Sequence, residues 1–146
     1  MVELVDEFSL FSDSEKNYYS AAAHKALDYL GVKNDSLTIV LSDDINLQKL
    51  NNQFSGNNYP TDVLSFTANE PDPITAQNYL GDIIISYERA AIQAANADIP
   101  LSKEIITLII HGILHLCGHD HANKKDHQKM FALQATIIEN LTDELR

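Results

Sequence analysis

The segment Lys103–Cys117, KEIITLIIHGILHLC, most constrains the fold: beyond Lys103, Glu104, Thr107 and its two histidines, its residues are apolar on nearly every face of a helix. A helix of that kind has no side to offer water, so other elements must pack around it. It is read as a buried central helix. Its last turns carry His111, Gly112 and His115, and Gly118 follows where a helix can stop.

The flanking sequence supplies the packing elements. VELVDEFSL reads as an edge strand, and SDSEKNYYSAAAHKALDYLG as a helix with Ser12 and Glu15 at capping-box spacing and Gly31 at its end. Ser36–Ser42 is β-branched and reads as a strand, followed by a short helix, DDINLQKLNNQF. Strands are expected at Val63–Phe66 and over YLGDIIIS, separated by a loop of about ten residues, NEPDPITAQN, because of its two prolines. YERAAIQAANA reads as a helix, Ser102 as the cap of the central helix, and NKKDHQKMFALQATIIENLTDEL as a final amphipathic helix. With 146 residues, no repeat and no linker, residues 1–146 are expected to form a single domain. The fold class is α+β: about four strands in a mixed sheet, packed with about five helices.

His111 and His115 stand four apart on the central helix, so both imidazoles share one face, a spacing by which helices present two nitrogens to one zinc. A chain that turns at Gly118 can bring His121 back as a third ligand, and a three-histidine site keeps one tetrahedral position open for chemistry. His119 and Asp120 compete for that third place; Asp120 also suits an acceptor that orients an imidazole. Cys117 points off the ligand face and reads as a small buried hydrophobe, while lone His24 reads as a core or rim residue. The offsets match the H-E-x-x-H-x-x-G-x-x-H pattern of zinc proteases, except that Gly112 replaces the glutamate base and Met130 falls within a helical pattern.

Charge narrows the substrates. A formal net charge of −11 opposes binding to phosphate backbones in general. Against it, Lys124, Lys125 and Lys129 gather just behind the histidines as a local basic patch suited to substrate. A single cysteine and an acidic N-terminus suit a cytoplasmic protein, and no apolar run is long enough to span a membrane.

HGILHLCGHDH, from His111 to His121, resembles the H-G-x-L-H-L-x-G-[YH]-D-H signature of the YbeY family of zinc-dependent endoribonucleases. NYPTDVLSF, LGDIIIS and MFALQ are similar to further segments of that family, in the same order, from about Leu50 onward. The resemblance implies one zinc ion per chain on His111, His115 and His121, and cleavage of single-stranded RNA. It also implies a role in 16S rRNA 3′-end maturation and ribosome quality control, with rRNA and the small ribosomal subunit as partners; the sparse positive charge adds the expectation that a ribosomal or protein partner delivers the substrate. The family usually carries an arginine after an aromatic residue ahead of P-T-D; here the pair is Phe54 and Ser55. Zinc would polarise a phosphoryl oxygen and lower the pKa of bound water toward about 7. Asp82 offers a base reaching from a strand end, though strand-end hydrogen bonding is its more ordinary role. Two other readings fit part of the pattern: a zinc peptidase or amidohydrolase, and a ribosome-assembly factor with structural zinc.

Overall fold

The computed structural model describes residues 1–55, 61–119 and 123–144. Its elements run β1 (Val2–Asp6), α1 (Asp13–Tyr29), β2 (Ser36–Ser42), α2 (Asp44–Ser55), β3 (Val63–Pro71), β4 (Asn78–Ser86), α3 (Tyr87–Ala97), α4 (Leu101–Leu116) and α5 (Lys124–Glu144). The four strands form one sheet in the order β1-β2-β4-β3. β1, β2 and β4 are parallel, and β3 is an antiparallel edge. The α+β class and the four-strand, five-helix inventory agree with expectation.

Local chemistry explains most boundaries. Ser12 and Glu15 form the expected reciprocal cap of α1. Gly31, at φ +78°, lets the Val32 amide donate to the Leu27 carbonyl at 2.9 Å, closing the helix with a left-handed turn. Two expectations are corrected. Pro100, not Ser102, occupies the N-cap of α4, since its fixed φ suits a helix start and Ser102 already lies in the first turn. The ten-residue loop is instead a hairpin: β3 runs on to Pro71 and β4 begins at Asn78. Pro71 is tolerated there because β3 is an edge strand.

α4 runs through the core, as its composition demands, with nine of its residues buried from Ile105 to Leu116. It lies against one face of the sheet. A Cβ built on Gly112 would stand 2.7 Å from Ile83 Cγ2, and one on Gly81 would stand 2.1 Å from the Phe66 carbonyl oxygen and 2.9 Å from Leu116 Cδ2. Helix and strand therefore meet through their glycines. That close approach brings the last two turns of α4 alongside β3. Among the described residues, no single helix is both long and apolar enough to cross a membrane.

Candidate active site

α4 ends as its sequence predicts. Gly118 sits at φ +96°, and the His119 amide donates to the Leu114 carbonyl at 2.9 Å. One turn before that end, His111 and His115 face a groove of about 330 Å³ whose far wall is Thr61, Asp62, Val63, Ser65 and Thr67. The wall follows from strand alternation: Val63, Ser65 and Thr67 register with Ile85, Ile83 and Gly81, which face α4.

The two histidines are oriented for a shared ligand. Their Nε2 atoms lie 3.2 Å apart, with ring centroids 4.7 Å apart and planes at 72°. Two nitrogens bound to one tetrahedral zinc at 2.0–2.1 Å would be separated by about 3.3–3.4 Å. His111 Nδ1 meets Gln134 Oε1 of α5 at 2.9 Å. An acceptor there places the proton on Nδ1 and leaves the Nε2 lone pair facing the groove, as metal-ligating imidazoles require. Gln134 is a buried polar side chain, and this bond gives it a purpose. The donor set therefore fits a metal. His121 and Asp120 lie outside the described residues, as do Gly56–Pro60 of the segment before the strand. Among the described residues, no three His, Cys, Asp or Glu side chains converge on one point.

The remaining candidates separate. His119 follows the turn into a second recess with Cys117, Gly118, Asp126 and Lys129. Cys117 is half-buried and its thiol pKa is pushed up, by burial first and the nearby Asp35 second, which fits a packing role. His24 is exposed on α1. Lys124, Lys125 and Lys129 are all exposed on the first turns of α5, but not on one face. Lys124 shares the side of His127, Phe131 and Gln134, whereas Lys125 and Lys129 point elsewhere.

Asp82 does not join the histidines. It registers with Thr38 and Phe66, on the sheet face opposite to Ile83 and α4. There it accepts from the Tyr79 hydroxyl, which also contacts Thr38 Oγ1 at 2.6 Å. The carboxylate that does line the groove is Asp62, at the start of β3. Gln93 Nε2 donates to its Oδ2 at 3.2 Å, and its carbonyl accepts from the Ser86 amide at 3.0 Å. Glu104, two turns before His111 on α4, has its pKa raised, by burial first and by Asp62 second. Asp62 was present in the sequence as part of P-T-D, but nothing in the chain order aims it at His111.

The family model described as Endoribonuclease YbeY matches residues 5–142. This chain belongs to the YbeY family. A YbeY relative named as an endoribonuclease, from Persephonella marina, is 42% identical over 127 residues, covering 86% of this chain and 83% of its own. Another of that name, from Pelagibacter ubique, is 37% identical and 88% of each chain is covered. The solution structure of TM1509 from Thermotoga maritima superposes with a TM-score of 0.70 at 26% identity, over all of this chain and 92% of that one. The YbeY resemblance read from the histidine motif is thus borne out for family and fold.

Proposed function

We propose that this protein is a metal-dependent endoribonuclease that cleaves single-stranded RNA in rRNA maturation, with one zinc ion held by His111, His115 and His121. The observation that carries it is the convergence of the His111 and His115 Nε2 atoms at 3.2 Å, with Gln134 fixing the first ring, beside an open groove. His111 and His115, with His121, would hold the zinc ion, which would supply Lewis-acid polarisation of the scissile phosphate. The chain's own groups do the rest. Gln134 holds the His111 tautomer, Ser65 and Thr67 offer hydroxyls along the groove, and Asp62 takes a proton from the attacking water or ribose 2′-hydroxyl as the P–O bond to the leaving ribose oxygen breaks, that oxygen taking its proton from solvent. Gln93 orients that carboxylate. Precursor 16S rRNA in the small ribosomal subunit, in the cytoplasm, is the natural substrate, delivered by a protein partner that offsets the sparse positive charge.

The peptidase reading loses its residue altogether. Position 112 points into Ile83 and not into the groove, so even a glutamate at that position would lack a path to substrate. The test incubates zinc-loaded protein with labelled single-stranded RNA, duplex RNA and casein. Cleavage of single strands alone is expected, abolished by His115→Ala. Asp62→Asn is expected to lower kcat by about 10²–10⁴-fold. Casein cleavage, or RNA cleavage that survives His115→Ala, would refute the proposal.

A further inference from the structure

The face of α5 that starts at Gln134 continues outward as an aromatic ridge. Lys124, His127, Phe131 and Gln134 are spaced three, four and three residues apart, which puts them on one side of the helix. The Phe131 ring lies 5.7 Å from the His111 ring, and His127 stacks on Phe131 at 4.4 Å with only 23° between planes. Phe131 lies beside the buried seam of Met130, Ile137 and Leu141, not within it, and remains 40% exposed. Phe131 reaches the site through the His111 ring, which itself lines the groove, and the rest of its surface is left to solvent.

We infer that Phe131, stacked on His127, is a nucleobase platform that holds one unpaired base of the RNA beside the scissile phosphate, with Lys124 at the outer end for the adjoining phosphate. This rests on the RNA-cleaving reading above. Every base has a π-face, so an aromatic platform binds single strands with little sequence preference. A base inside a duplex is covered on both faces by its neighbours and cannot use it, which makes the ridge a source of strand selectivity. The arrangement also suits a chain with a net charge of −11, because stacking supplies affinity that electrostatics cannot.

The test compares cleavage of oligoadenosine decamers, with one abasic nucleotide moved along the strand, by zinc-loaded wild-type and Phe131→Leu protein. Phe131→Leu should raise KM about five- to one-hundred-fold with kcat changed less, and Phe131→Trp should keep KM near wild type. One abasic position should raise the wild-type KM by a similar factor and add nothing further in Phe131→Leu. 2-Aminopurine at that position should be quenched on binding to wild-type protein, which needs no variant. A wild-type KM in Phe131→Leu, undiminished abasic penalties in that variant, or no quenched position would overturn the platform while leaving RNA cleavage intact. No cleavage by wild-type protein would remove both readings.

Discussion

Replacing Gly112 by alanine tests the contact on which the site's geometry depends. In an ordinary helix interior the change stabilises by about 1 kcal/mol, because alanine has less backbone freedom to lose. Here the new Cβ would lie 2.7 Å from Ile83 Cγ2 and 3.0 Å from both Cγ1 and Cδ1. Two of those carbons sit at the root of a β-branched side chain that is 0% exposed, on a strand paired on both sides. The methyl cannot be accommodated by a rotamer change alone, so α4 must lift from β4. Overpacking of this kind costs about 1–3 kcal/mol, and the rigid partner argues for the upper end. The net expectation is a loss of about 2 kcal/mol, or a Tm lower by about 5 °C. Urea and thermal unfolding should be measured with chelator, so that metal binding adds nothing. The sign should invert in an Ile83→Ala background, where all three clashing carbons are gone and the methyl fills space. There Gly112→Ala should stabilise by about 1 kcal/mol. A stabilised Gly112→Ala protein in the otherwise wild-type chain would refute the close contact and, with it, the argument that position 112 cannot face substrate.

Two further outcomes are expected. Gln134→Met keeps the volume but removes the acceptor for His111 Nδ1, and should weaken zinc binding about 10–100-fold in a competition titration; unchanged affinity would mean that Gln134 does not set the tautomer. Glu104 has a raised pKa in the folded protein, so the unfolded chain ionises first and stability falls as pH rises from the ordinary carboxylate range through the folded value. Glu104→Gln should therefore gain stability relative to wild type across that window and hold the gain above it. Parallel stability curves for the two proteins from acid to neutral pH would contradict this.

How much of this was legible beforehand depended on whether a contact was local. The i, i+4 pair of His111 and His115, the turn at Gly118 and the cap at Ser12 are all local, and each was readable from spacing. The face on which Asp82 lies was not. DIIIS is apolar at three successive positions, so it lacks the period-2 contrast that tells one side of a strand from the other. Its register shifts between Ser36 and Leu37 of β2, which no residue pattern announces. The partnership of Gln134 with His111 spans 23 residues and two helices. Sequence showed only a polar residue in an amphipathic stretch. The two prolines point to a loop where the chain forms a hairpin, because prolines argue against central strands and the edge position that permits Pro71 belongs to the topology. Sequence shows Gly112 as a missing base, but its role as a spacer against Ile83 exists only in the packed structure.

Placing His111 and His115 on the most buried helix has a consequence for how the protein would respond to metal. Elements at the centre of a core exchange their amide protons only through global opening, whereas rims exchange through local fluctuation. The α4 amides around Ile109–Leu114 should be among the slowest to exchange. Two of the three proposed donors are then carried on backbone that opens only with the whole domain. Metal binding at that site would report on the entire fold, adding about 4 kcal/mol at a free concentration one thousand times Kd. The melting temperature of the intact chain would thus serve as a gauge of site occupancy, and metal starvation would be felt as a loss of protein as well as a loss of activity.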